Sequence, residues 1–317
     1  MTIVEKMKLV QHEMQKVLIG KEKTIELVMI SLLNNGNVLL EDVPGTGKTL
    51  LAKSMAVLLG GQFKRIQFTP DVLPGDVTGI QFFNPKKQDF ELRPGPVVTN
   101  VLLADEINRA TPRTQSSLLE VMEEKQVTIE GTTLKLPTPF IVMATQNPLE
   151  SQGTFSLPEA QMDRFFMQMQ SGYPTPKEEK RMIQMVRHQN PFDDLKSIFK
   201  DGEIELFQKE VKRVELSEVI EDYLLSIVQA TRSGEYISVG VSPRGTIAFM
   251  KAAQGKAFIE GRAFVTPEDI QFVAPYVLSH RLVLTMEGAM RKTKQAVLEE
   301  ILTQVEVPVE VRGGATT

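Results

Sequence analysis

The feature that most restricts this chain is a short apolar run that ends in a glycine-rich loop and opens into a helix. Val38-Leu39-Leu40 reads as a buried strand, Pro44-Gly45-Thr46-Gly47-Lys48-Thr49 as the loop, and about Thr49 to Leu59 as the helix. That is the setting of a phosphate cradle. The glycines let backbone N–H groups turn inward and let an anion approach closely, and the helix N-terminus adds a favourable dipole. Lys48 is placed to reach the β/γ-phosphates of a nucleotide, and the Thr49 hydroxyl to ligate Mg²⁺. The pattern G-x-x-x-x-G-K-[ST] has glycine where this chain has Asp42. Aspartate tolerates a left-handed backbone better than most residues. Its carboxylate either weakens nucleotide binding or points away from the phosphates.

Further apolar runs, Phe63 to Phe68, Val101 to Ala104, Phe140 to Ala144 and Phe165 to Met169, read as buried strands alternating with helices. That rhythm predicts an α/β fold with a mostly parallel sheet covered on both faces. Glu5 to Leu33 reads as two helices broken at Ile19-Gly20. Two segments alternate strictly instead. Ile80, Phe82, Phe90 and Leu92 flank Asn84-Pro85-Lys86-Lys87, and Val127, Ile129, Leu134 and Leu136 flank Glu130-Gly131-Thr132. Both read as hairpins projecting from the main sheet. After Tyr173-Pro174-Thr175-Pro176 the pattern turns helical, so the expected domains are 1–173 and 174–317. Helix starts are marked by Thr111-Pro112, Thr175-Pro176, Ser242-Pro243 and Thr266-Pro267, with acids at the third position in two of them. Arg312 to Thr317 reads as a disordered tail.

Composition closes off several chemistries. There is no cysteine, hence no disulfide framework, thiolate metal site or cysteine nucleophile. The three histidines, His12, His188 and His280, are far apart in sequence. No apolar run reaches the ~18 residues of a membrane span. The N-terminus lacks a basic region followed by an apolar stretch, so the expected location is cytoplasmic. With 36 basic and 40 acidic residues the net charge is −4, which argues against bulk nucleic-acid binding but leaves room for a local basic groove. The methionines read as packing residues.

Val101-Leu102-Leu103-Ala104 ends in Asp105-Glu106. Beside a phosphate loop, such a strand end suits metal-assisted hydrolysis, with Asp105 holding Mg²⁺ and Glu106 orienting the attacking water. Standing alone, the pair is a helix cap or a solvated end. The next buried strand ends in Thr145-Gln146-Asn147-Pro148. Asn147 either contacts the γ-phosphate or the water, or simply turns the chain before proline.

The phosphate loop, the acidic pair and Asn147 resemble Walker A, Walker B and sensor 1 of the AAA+ ATPases. The chain more closely resembles the MoxR family. That likeness is carried by Phe68-Thr69-Pro70-Asp71-Val72-Leu73-Pro74-Gly75-Asp76-Val77-Thr78-Gly79, by Asp105-Glu106-Ile107-Asn108-Arg109-Ala110, and by Leu157-Pro158-Glu159-Ala160-Gln161-Met162-Asp163-Arg164-Phe165. It implies an αβα core with a five-stranded sheet, a helix-2-insert hairpin, a second hairpin before sensor 1, and a C-terminal helical lid. It implies nucleotide contacts from Ile19, Gly20, Pro44, Gly45, Thr46, Gly47, Lys48, Thr49 and Leu50, and Mg²⁺ at Thr49 and Asp105. Catalytic roles fall on Lys48, Glu106, Asn147, Arg164 and Arg244.

By the resemblance, Arg164 is an arginine finger for a neighbouring subunit and Arg244, in the first turn of a helix, is sensor 2. Basic charge is unfavourable at a helix N-terminus, which calls for a second reason to place Arg244 there. The bland alternatives are an ion pair of Arg164 with Asp163 or Glu159, and a plain inter-helix turn at Ile19-Gly20. Arg109 and Arg113 read as solvated, or as facing a neighbour's nucleotide. The implied activity is ATP hydrolysis coupled to chaperone-like remodelling of proteins with von Willebrand factor A domains, in a homo-oligomeric ring, a hexamer by family likeness. The rival readings are a nucleic-acid motor and a nucleotide-gated scaffold that barely turns over.

Overall fold

The computed structural model describes residues 1–41, 43, 45–147, 153–170, 172–186 and 191–308. Asp42, Pro44, Pro148, His188 and the tail from Arg312 lie outside the described residues. The chain forms two compact units, Met1–Glu210 and Val211–Thr317.

In the first unit the strands are β1 (Val38–Glu41), β2 (Phe63–Gln67), β3 (Gly79–Asn84), β4 (Asp89–Pro94), β5 (Val101–Asp105), β6 (Gln126–Ile129), β7 (Thr132–Lys135), β8 (Ile141–Gln146) and β9 (Met167–Met169). The helices are α1 (Ile3–Gln15), α2 (Glu22–Leu33), α3 (Lys48–Leu59), α4 (Pro74–Thr78), α5 (Pro112–Glu124), α6 (Glu159–Met162), α7 (Pro176–Val186) and α8 (Glu203–Glu210). Five strands make one sheet in the order β2-β5-β8-β1-β9, and every pair in it is parallel. The apolar runs of β1, β5 and β8 are continuous because both faces are covered. On one face Leu39, Ile66, Leu102 and Val142 join Leu118, Leu119 and Met122 of α5 and the fully buried Phe165. Asn37, just before β1, accepts the Val142 N–H at 2.8 Å and so ties the start of β1 to β8. The edge strand β2 differs. Ile66 enters the core, while Arg65 and Gln67 point away from it and stay exposed.

The two expected hairpins form separate two-stranded sheets, β3-β4 and β6-β7. In β3-β4, Phe83 stands opposite Phe90, their rings edge to face at 5.5 Å. These two, with Ile80 and Phe82, are exposed.

The units divide later in the chain than the change of pattern near Tyr173. Helices α7 and α8 fall within the first unit. Lys6 of α1 pairs with Glu203 and donates to the Ile198 carbonyl at 2.8 Å. Gln208 of α8 donates to the Leu32 carbonyl at 2.8 Å. Hydrophobic periodicity records the switch from strand to helix and is silent on which core a helix joins.

The second unit carries α9 (Glu218–Ser233), β10 (Ile237–Val239), α10 (Pro243–Ile259), α11 (Pro267–Leu278), β11 (Val283–Leu284), α12 (Met286–Arg291) and α13 (Lys294–Gln304). Its core is built from residues such as Ile227, Val228, Phe249, Ile270 and Val277. It is therefore mainly helical, with β10 and β11 pairing antiparallel.

All four proline-marked helices start where expected, at Pro112, Pro176, Pro243 and Pro267, and the caps differ. Glu178 accepts from the N–H and hydroxyl of Thr175 at 2.7 and 2.8 Å, and Ser242 accepts the Gly245 N–H at 3.0 Å. Thr111 departs from expectation. It occupies the N-cap position of α5 without a side-chain cap bond, and its hydroxyl lies 3.2 Å from that of Thr114. The short helix α6 likewise starts without a side-chain cap. Pro158 holds the N-cap position, and proline has no side-chain acceptor to offer.

At Thr266 the cap is reinforced. Asp269 accepts from the Thr266 N–H at 2.8 Å and grips Arg262 through both oxygens, at 2.5 and 2.6 Å. The Asp269 side chain is 2% exposed and Arg262 is 25% exposed. Asp269→Ala removes fork and cap together and strands a mostly buried guanidinium, an expected loss of about 3 kcal/mol. Glu260, Arg262's outer partner, is 46% exposed, so Glu260→Ala is expected to cost under about 1 kcal/mol. Urea midpoints of the two variants check this difference.

Candidate functional site

Three strand ends build the site. The loop after β1 carries Gly45 and Gly47 with φ of +86° and +88°. A Cβ on Gly45 would meet nothing within 4 Å, so backbone conformation, and not space, selects glycine there. Gly47 caps α3, which places Lys48, Thr49 and Leu50 in its first turn with their N–H groups unclaimed by the helix. These residues line a cleft of about 420 Å³ with Gly45, Arg65, Gln67, Asp105, Glu106 and Asn147. The carboxyl ends of parallel strands, where the chain order of neighbours switches, are where α/β folds bind ligands.

Asp105 ends β5 and is held from two sides. The Thr145 hydroxyl donates to Oδ1 at 2.6 Å. Arg65 donates to Oδ2 from Nη2 at 2.6 Å and from Nε at 3.1 Å. Glu106 stands in the left-handed region at φ +58°, uncommon for a non-glycine residue and typical of functional sites. Its N–H is satisfied by the Thr145 hydroxyl at 2.8 Å. Its Oε2 accepts from Gln67 Nε2 at 2.8 Å and forms an ion pair with Arg109 Nε at 3.1 Å. The side chains of Asp105 and Glu106 are 14% and 22% exposed. Asn147 is buried at the cleft wall.

The Thr49 hydroxyl and the Asp105 carboxylate are hard oxygen donors of the kind Mg²⁺ takes. The described residues hold no group of three metal-binding side chains. One or two protein oxygens completed by phosphates and water is how Mg²⁺ is usually held, so the donor set fits that ion.

The cleft thus brings together Gly45, Gly47, Lys48, Thr49, Leu50, Asp105, Glu106 and Asn147. Thr46 is in the same loop, nearly buried, its hydroxyl donating to the Val43 carbonyl at 3.2 Å. Ile19 and Gly20 do not line this cleft. Ile19 lines a second one of about 590 Å³ with residues including His12, Lys16, Arg181 and Met185. Gly20 turns the chain at φ +72°, and its missing Cβ leaves room for the Glu178 carboxylate. Leu18 does approach the loop, 3.2 Å from where a Gly47 Cβ would stand.

Arg164 pairs with Glu123 of α5 at 2.8 Å, not with Asp163 or Glu159. It is absent from the described lining of the cleft. Arg244 is exposed in the first turn of α10 in the second unit.

Sequence reasoning missed Arg65, Gln67 and Thr145, and read Arg109 as solvated. The alternation in β2, which sets Arg65 and Gln67 on the face opposite Ile66, was the available signal. It required knowing that β2 neighbours β5.

Comparison with known proteins agrees with this architecture. The family described as "ATPase family associated with various cellular activities (AAA)" matches residues 37–167, and the AAA lid domain matches residues 229–301. The chain is 46% identical to the uncharacterized protein YeaC of Bacillus subtilis, covering 96% of this chain and 95% of that one. It is 40% identical to the chaperone MoxR1 of Mycobacterium tuberculosis, covering 93% and 81%. The crystal structure of a protein assigned as an ATPase, from Cytophaga hutchinsonii, superimposes with a TM-score of 0.90 at 39% identity, over 97% of this chain and 96% of that one. With its phosphate loop, acidic strand end and helical second unit in that arrangement, the chain belongs to the MoxR family of AAA ATPases.

Proposed function

We propose that the protein binds MgATP in the cleft of the first unit, hydrolyses it, and uses the cycle to remodel partner proteins as a homo-oligomeric ring. The observation that carries this reading is the convergence of a phosphate loop, Asp105-Glu106 and Asn147 on one cleft at the N-terminus of α3.

Each residue then has a task. The N–H groups at the start of α3 and the Lys48 ammonium bind the β- and γ-phosphates. Thr49 and Asp105 hold Mg²⁺, which when bound offsets phosphate charge and orients the γ-phosphoryl group. Glu106 orients a water whose oxygen bonds to the γ-phosphorus while the bridging P–O bond breaks toward ADP. Asn147 contacts that water or the γ-phosphate. Arg164 acts on a neighbouring subunit's nucleotide, and Arg244 reports nucleotide state to the second unit. The family likeness extends the proposal to clients with von Willebrand factor A domains.

Glu106→Gln is expected to lower kcat by roughly 10²-fold or more while leaving nucleotide binding intact. A wild-type rate no faster than that of the variant overturns the hydrolysis reading. Specific activity of the wild type is expected to rise with protein concentration, and Arg164→Ala to reduce it on the order of 10³-fold. The Arg164–Glu123 pair is more than a third exposed on both sides, so Tm should barely move. Activity independent of concentration and insensitive to Arg164 overturns the ring mechanism. A purified von Willebrand factor A domain protein is expected to change the steady-state ATPase rate, and an unchanged rate across a panel of such proteins counts against that client class.

A further inference from the structure

Arg65 has no part in the scheme above, yet it makes more bonds in the cleft than any phosphate-loop side chain whose contacts are described. Its Nη2 donates at 2.6 Å both to Asp105 Oδ2 and to Gln67 Oε1, and its Nε donates to the same Asp105 oxygen at 3.1 Å. We propose that Arg65 is a resident counter-cation for Asp105 that must give way when Mg²⁺ is bound. The inference rests on the reading of the cleft as an MgATP site.

The chemistry of the donors sets the orientation of Gln67. A guanidinium can only donate. Gln67 must therefore turn its amide oxygen to Arg65, which points its NH₂ at Glu106 Oε2, 2.8 Å away. The reverse amide orientation would set donor against donor at Arg65 and acceptor against acceptor at Glu106. Arg65 thus fixes the rotamer of Gln67, and Gln67 fixes Glu106, helped by Arg109 at 3.1 Å. Asp105 Oδ1 is already engaged by Thr145 at 2.6 Å, and Oδ2 takes two N–H groups. A small divalent ion that demands close, regular oxygen ligation competes for the same carboxylate, and its charge repels the guanidinium. Once Arg65 leaves, Gln67 keeps its NH₂ on Glu106, because the reverse orientation would set oxygen against oxygen, so the exchange is confined to Asp105 and Arg65. Arg65 is 45% exposed and Asp105 14%, so water can take up the guanidinium donors when Arg65 leaves, while the mostly buried carboxylate needs another cation in its place.

The test uses the full chain and a fluorescent ADP analogue, titrated at graded free Mg²⁺ to find the concentration that half-restores tight binding. No hydrolysis is needed. Removing the competitor in Arg65→Met is expected to lower that half-point by roughly threefold or more, with Arg65→Lys, which keeps charge but not the fork, falling between. By linkage, Gln67→Leu should lower it in the same direction but less, because Arg65 loses an acceptor. In the double variant Arg65→Met/Gln67→Leu the Gln67 effect should vanish. A half-point in Arg65→Met within twofold of wild type, or higher, overturns the exchange, and full additivity in the double variant overturns the part given to Gln67 in holding Arg65. Wild type that binds no ADP at any Mg²⁺ concentration overturns the proposed function itself. Binding with normal Mg²⁺ dependence and an unmoved Arg65→Met overturns this inference alone.

Discussion

The Thr145 hydroxyl is the joint on which the cleft depends. It lies near the end of β8, donates to Asp105 on the neighbouring strand and accepts the N–H of Glu106. One oxygen therefore sets the carboxylate of the first acid and the backbone turn of the second. The left-handed backbone at Glu106 is costly for a residue with a Cβ, and this hydrogen bond is what the surroundings return for it. The bond exists because β5 and β8 pair in parallel register, Ala104 beside Ala144, so that both strands run out at the same level. A shift of one residue would turn Asp105 and Thr145 to opposite faces. Asn37, buried and bonded to Val142 at the other end of β8, helps hold that level for β1 as well.

The second constraint is charge. Asp105 and Glu106 are adjacent and mostly buried, and two carboxylates so placed repel each other and lose hydration. The fold answers with two arginines, Arg65 at the first acid and Arg109 at the second, and with the Gln67 amide bridging them. In the proposed function the cleft is compensated in two states, with and without Mg²⁺. Side chains of an edge strand suit this better than central ones, since β2 has neighbours on one side only and its polar face can rearrange into solvent.

Much of this is legible in the sequence alone. The αβα core, the phosphate loop, both hairpins and the acidic strand end follow from local patterns: apolar runs closed by glycine or acid, and strict alternation around turn residues. What was not legible is whatever depends on strand order. Nothing local says that β2 lies beside β5, so Arg65 and Gln67 looked like the polar side of an edge strand. The Arg164–Glu123 pair was missed for the same reason, because the partners considered were sequence neighbours and the actual one sits on α5. The division after Glu210 was hidden because α7 and α8 look like the helices that follow them. Their allegiance is decided by contacts such as Lys6–Glu203 and Gln208–Leu32, which span nearly two hundred residues of chain.

The same argument separates two kinds of arginine. Arg262 is locked by a buried fork and a helix cap, and exchanging its partner would expose a charge hole in the second unit's core. Arg164 and Arg65 are more exposed than Arg262, at 35% and 45% against 25%, so water can take up their guanidinium donors when a partner leaves. An arginine that exchanges partners has to belong to the second kind, and the exposure that weakens these pairs as sources of stability is also what lowers the cost of such an exchange.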